Sequence, residues 1–86
     1  MADTLFEFPC RFPFKVIGEM RDGFTQAVVD AILTVVSDFD GKTVIIRPSR
    51  DRRYVSITAD VNAQSKMQLD ELYQAVRNVP GVHVLL

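Results

Sequence analysis

The order in which hydrophobic periodicity changes along the chain is what most constrains its fold. An alternating run gives way to a helical stripe, then to two further alternating runs, a second helical stripe and a short apolar end. Period two marks half-buried strands and a period near 3.6 marks amphipathic helices. The result is one βαββαβ unit, used once, that fills nearly all 86 residues. In such a split βαβ arrangement both helices cover one face of an antiparallel sheet and leave the other open. The expected fold is therefore α+β and ferredoxin-like, a four-stranded antiparallel sheet with two helices on one face. Residues 1–11 read as an N-terminal arm and residues 12–86 as a single domain.

The first strand is expected over about Phe12 to Gly18, with Phe12, Phe14 and Val16 on one face and Lys15 and Ile17 on the other. Gly18 to Gly23 form a loop, and Asp22 is the candidate N-cap of the helix over Gly23 to Asp38. Phe24, Val28, Ile32, Val35 and Phe39 make the stripe of that helix. Val29, Leu33 and Val36 add a second apolar shoulder, leaving polar the strip Gln26, Asp30, Thr34 and Ser37. Two readings of the shoulder stand: it packs on the other helix or the arm, or it contacts another subunit. Asp40-Gly41 supplies the stop.

Lys42 to Pro48 and Tyr54 to Val61 form a hairpin. Val55, Ile57, Ala59 and Val61 point inward, and Tyr54, Ser56, Thr58 and Asp60 outward. The second helix opens at Asn62 or Ser65, with Ser65 and Gln68 spaced as a capping box. Its stripe is Leu69, Leu72, Tyr73, Val76 and Val79, ended by Pro80-Gly81. In the last strand, Val82 to Leu86, residues Val82, Val84 and Leu86 share one face.

Strand order 4-1-3-2 would put Lys15, Ile17, Tyr54, Ser56 and Thr58 at the centre of the open face. His83 and Leu85 then flank one side and Thr43, Ile45 and Arg47 the other. Such a mixture of apolar groups and short hydroxyls marks a binding or pairing surface. Lys15, Ile17, Gly18, Arg47, Ser49, Tyr54, Ser56 and Thr58 are the candidate binding residues.

Chemistry is signalled weakly. The one histidine, His83, has no evident base partner, and a lone strand lysine such as Lys15 is commonly a snorkelling surface charge. Cys10 stands alone, which excludes an internal disulfide and every multi-cysteine metal motif. Gly18 and Gly23 bracket a loop without a dinucleotide fingerprint. Arg47, Arg50, Arg52 and Arg53 surround the hairpin tip, either to hold an acidic partner or as a solvated turn that resists edge aggregation. RNA-binding modules of this topology stack bases on two or three open-face aromatics, and here Tyr54 alone is offered. No catalytic residue, metal or cofactor is expected.

Net charge is −1, with 48% hydrophobic and 24% charged residues. A globular domain without general attraction to nucleic acid or anionic lipid follows. Residues Met1 to Glu7 lack the basic start of a signal peptide, and no apolar run is long enough to span a bilayer. A cytoplasmic protein is expected.

Three blocks resemble the small bacterial YbeD-like proteins, a family of unknown function. Leu5-Phe6-Glu7-Phe8-Pro9 followed by Phe12-Pro13-Phe14-Lys15-Val16-Ile17-Gly18 is the specific one. Pro48-Ser49 with Tyr54-Val55-Ser56-Ile57-Thr58, and Leu72-Tyr73 with Val82-His83-Val84-Leu85-Leu86, are similar to its hairpin and its end. Asp51-Arg52 departs from the Lys-Gly type of tip expected in relatives. The resemblance implies a fold similar to ACT domains, small regulatory modules that bind amino acids at subunit interfaces, and no known activity. The loop Gly18-Glu19-Met20-Arg21-Asp22-Gly23 lacks the Asp-x-x-Pro-Gly pattern of many amino-acid-binding ACT domains.

The leading expectation is a non-enzymatic regulatory or interaction module. It presents the open face and the first loop to a small metabolite or a protein, and it self-associates. The alternative is an RNA- or anion-binding module built on the arginine-rich hairpin. A catalytic role of the acylphosphatase type, with Arg21 in the first loop, lacks the matching asparagine on the central strand.

Overall fold

A computed structural model describes residues 8–86, so most of the arm expected over residues 1–11 lies outside the described residues. The elements are β1 (Cys10–Glu19), α1 (Phe24–Val35), β2 (Ile45–Pro48), β3 (Tyr54–Ala63), α2 (Lys66–Arg77) and β4 (Val82–Leu85), with a 3-10 turn at Gly41–Thr43. The strands form one antiparallel sheet in the order β2-β3-β1-β4. This is the expected ferredoxin-like architecture.

The long central pair β1 and β3 runs in register from Cys10 opposite Ala63 to Glu19 opposite Tyr54. Alternation along both strands sends Phe14, Val16, Val55, Ile57, Ala59, Val61 and Ala63 into the core beneath the helices. There they meet Val28, Ile32, Leu72 and Val76, each fully buried. Each such aliphatic side chain stabilises the fold by about 1.5–3 kcal/mol. Tyr73 closes one end of the core, edge-on to Phe14 at 5.0 Å and to Phe12 at 6.5 Å between ring centroids. Burial there pushes its phenol above the usual tyrosine value.

Helix ends depart from the sequence reading in an instructive way. Asp22 does not cap α1. The chain enters through Gly23 in the left-handed region, φ 79°, with no side-chain cap. Phe24 N–H and Ala27 N–H are instead satisfied by the carbonyls of Arg21 and Gly23. The helix also stops at Val35, short of Asp38. For α2 the cap is Ser65, with the reciprocal half of the expected capping box displaced by one residue. Ser65 accepts from the Gln68 amide at 3.1 Å, while the Gln68 side chain accepts from the Gln64 amide. Asn62 lies within β3. Gln68 also donates to the Val35 carbonyl, tying the start of α2 to the end of α1.

The segment that follows α1 covers part of its apolar shoulder, while most of the arm expected there lies outside the described residues. Val29 and Val36 are buried, and a Cβ on Gly41 would lie 2.8 Å from Val29 Cγ1. The segment after the helix therefore folds back over the shoulder. Leu33 is half-buried, in an open groove shared with Val44 and Ile46.

Three corrections concern the strands. Strand β1 begins at Cys10, so the last two residues of the expected arm, Cys10 and Arg11, are paired with Ala63 and Asn62. Strand β2 begins at Ile45, because Asp40 caps the 3-10 turn through the Lys42 amide and accepts the Thr43 hydroxyl on its carbonyl. Thr43 is thus not a sheet residue. In β4 the expected facing of Val84 and Leu85 is inverted. A bulge intervenes where Gly18 pairs with Val82 and Ile17 with Val84. The extra residue shifts the parity, so Val82 and Leu85 pack on the core and Val84 turns outward.

Candidate open-face binding site

Cross-strand partners project to the same side of a sheet, so the register draws the open face directly. Ile45, Thr58, Lys15 and Leu86 form one row across β2, β3, β1 and the end of β4. Lys15 and Leu86 exchange both backbone hydrogen bonds, at 3.2 and 2.9 Å. Arg47, Ser56, Ile17 and Val84 form the second row. Tyr54 and Glu19 form the third, joined there by His83.

The face is unusually apolar for an exposed one. Ile45 and Leu86 are each 58% exposed, and Tyr54 and Val84 each 42%. Ile17 lies half-buried among them.

Polar groups on the face divide into committed and uncommitted ones. His83 Nε2 lies 3.2 Å from Glu19 Oε2, and Arg21 reaches Glu19 Oε1 at 3.4 Å. The His83 ring stands edge-on to Tyr54 at 5.5 Å. Lys15 and Arg47, in contrast, have no ion-pair partner among the described residues. They border a shallow depression of about 280 Å³ whose lining includes Ile17, Pro48, Tyr54 and Ser56.

The hairpin tip is held by its own serine and aspartate. Ser49 Oγ donates to Asp51 at 2.7 Å and accepts the Tyr54 amide at 3.1 Å. The Arg53 amide also donates to Asp51. First the Ser49 hydroxyl and then this amide hold the Asp51 carboxyl below its ordinary value. Arg52 takes the left-handed conformation, φ 62°, that a glycine would adopt without cost. Asp51-Arg52 thus builds a tight turn of its own, with Arg52 N–H on the Ser49 carbonyl.

Of the candidate residues, Lys15, Ile17, Arg47, Ser49, Tyr54 and Ser56 all line the one depression, and Thr58 sits beside Lys15 on the same face. The Ser49 hydroxyl is spent on the turn. Gly18 stands apart from them. It is buried on the helix side, where a Cβ would meet Phe24 Cζ at 2.3 Å and the Gly81 carbonyl at 2.6 Å. Ile45 and His83 were legible as flanking residues. Val84 and Leu86 were missed as open-face residues, and Glu19 was not paired with His83.

Among the described residues no group of three or more histidine, cysteine or acidic side chains could hold a metal ion. Cys10 is a free, half-buried thiol at the start of β1. No helix among them is long and apolar enough to cross a membrane.

Residues 3–86 match the family described as protein of unknown function, DUF493. The UPF0250 protein NE1487 of Nitrosomonas europaea is 44% identical, over 98% of this chain and 97% of that protein. A UPF0250 protein of Paraburkholderia phytofirmans is 37% identical, over 98% and 94%. Two solved structures share the fold at low identity. Protein HP0495 from H. pylori superposes with a TM-score of 0.75 at 17% identity, covering 94% of this chain and 85% of that one. The ACT domain from GTP pyrophosphokinase of Chlorobium tepidum gives 0.64 at 20% identity, covering 88% and 84%.

Proposed function

The chain belongs to the DUF493 family of proteins of unknown function, and we propose that it is a non-catalytic interaction module. Its open sheet face receives a protein or a small metabolite, and a second copy of the chain associates with it. What supports this is the make-up of that face. Ile45, Tyr54, Val84 and Leu86 lie exposed beside Ile17, interleaved with two unpaired cations and the hydroxyls of Ser56 and Thr58. A face that only met water would carry charged and polar groups in most of these positions.

The same face speaks against stacking nucleic-acid bases. Phe12 and Phe14 pack with Tyr73 on the helix side, so among the described residues the open face offers Tyr54 with the His83 ring edge-on to it, not a row of stacking rings. The fold shared with an ACT domain fits a binding role without naming a ligand.

The test is affinity capture from bacterial cell extract with the wild type, Tyr54→Ala and Asp30→Ala. Asp30 lies exposed on α1, away from the sheet. Proteins or metabolites should be recovered with the wild type and with Asp30→Ala, and lost with Tyr54→Ala. Recovery that survives Tyr54→Ala and fails with Asp30→Ala would move the binding surface to the helices.

A further inference from the structure

We propose that the depression between Lys15 and Arg47 is a site for a small organic anion, with one oxyanion head and an apolar body. This deepens, and rests on, the reading of the open face as the binding surface.

Charge is the first ground. The acidic groups around the depression are spoken for: Glu19 by Arg21 and His83, and Asp51 by Ser49 and Arg53. Asp60, the next outward residue of β3 beyond Thr58, makes no ion pair with Lys15. Two cations therefore flank one depression with no carboxylate between them, on a chain whose net charge is −1.

Geometry is the second. Strands β2 and β1 lie on either side of β3, so Lys15 and Arg47 rise from next-but-one strands, about 10 Å apart across the sheet. Both side chains are long enough to converge on one head group over Ser56. The half-buried Ser56 hydroxyl makes no hydrogen bond with another described residue and is a neutral donor at that point. An arginine fork and a lysine ammonium differ in shape, yet both donate hydrogen bonds to carboxylate or phosphate oxygens.

The floor is the third. Ile17 and the Tyr54 ring offer apolar surface directly beside the charged rim. A volume of about 280 Å³ is at the small end of ligand sites and holds one small molecule. Charge at the rim and apolar surface on the floor match a ligand that has both in one molecule.

The probe is phenylacetate, titrated into the 15N-labelled full chain and followed by amide chemical shifts. Phenylacetamide supplies the same body without charge, and inorganic phosphate supplies charge without the body. Saturable shifts are expected at Lys15, Ile17, Arg47, Tyr54 and Ser56 with phenylacetate, and weaker binding with both controls. Lys15→Gln and Arg47→Gln should each weaken binding about two- to fivefold, the effect of one exposed charge. A parallel titration with phenyl phosphate tells which head the site prefers, and tighter binding of either head supports the site. Absence of saturable shifts up to about 10 mM would overturn the proposal. So would equal binding of phenylacetamide or of inorganic phosphate, or charge variants with unchanged affinity. The broader reading fails separately. If captured partners are lost with Tyr54→Ala but kept by Lys15→Gln and Arg47→Gln, the face stands and the anion site falls.

Discussion

Ile17 of β1 pairs with Val84 of β4, while the adjacent Gly18 pairs with Val82. His83 is the surplus residue between them, and it swings onto the open side to reach Glu19 and Tyr54. A single bulge thus decides which residues of β4 face the core and which the open side. The same bulge brings the one histidine of the chain to the carboxylate of Glu19, so β4 contributes both apolar and polar groups to that face.

The bulge makes a stability prediction. Leu85→Ala should destabilise the domain by about 1–2 kcal/mol, less than an emptied fully buried site costs, because Leu85 is half-buried. Val84→Ser should stay within about 0.5 kcal/mol of the wild type, as an exposed substitution does. Urea denaturation of both variants checks the pair. The reverse ranking would restore simple alternation in β4.

The two faces of β3 separate stability from binding. Ile57 is fully buried, and Ile57→Ala should cost about 2–5 kcal/mol in denaturant melts. Tyr54→Ala and Ser56→Ala should each cost less than about 1 kcal/mol, because one is exposed and the other half-buried without a hydrogen-bond partner. Both should nevertheless weaken any captured interaction. A Tyr54→Ala chain as unstable as Ile57→Ala would contradict this division of roles.

The hairpin tip should show its hydrogen bonds in its titration. The folded-state carboxyl of Asp51 is held below the ordinary aspartate value of 3.8, mainly by the Ser49 hydroxyl. A depressed carboxyl contributes its stabilisation above that ordinary value and loses it as pH falls through the lower, folded value. Below pH 3.8 the turn should therefore loosen, seen as a shift of the Arg53 amide signal whose midpoint lies under 3.8. Ser49→Ala should move the midpoint upward. A midpoint at or above 3.8 in the wild type would contradict the bonding of the tip.

Self-association is expected from the exposed apolar groups on the open face and from the groove that Leu33 shares with Val44 and Ile46. Light scattering at micromolar concentration should give more than the monomer mass. Ile45→Lys, on the edge strand, should lower it. A strictly monomeric chain up to high concentration would remove this element of the proposal.

The architecture was legible because the long strands obey simple alternation. Val55, Ile57, Ala59 and Val61 read inward from sequence and are buried, and Lys15, Tyr54 and Ser56 read outward and are so placed. What escaped was local. The bulge at His83 adds a residue without altering composition, so parity counting placed Val84 inside and Leu85 outside. The entry to α1 escaped too, since Asp22 has a capping side chain but left-handed Gly23 takes the cap position. Gly18 looked like a loop residue near a ligand, yet the Phe24 ring lies so close that no side chain fits. The bulge and the packing of Gly18 turn on contacts between distant segments, and the α1 entry on the backbone of one glycine, none of which periodicity encodes.

The central claim is that partners meet the open sheet face, and amide signals read out the surface used. The 15N-labelled chain should be recorded in unlabelled bacterial extract and again in buffer. Signals of Lys15, Ile17, Ile45, Arg47, Tyr54 and Ser56 should broaden or shift, while exposed amides of α1 and α2 such as Asp30 and Asp70 stay unchanged. Perturbation confined to the helices, with the three rows of the open face unaffected, would contradict it.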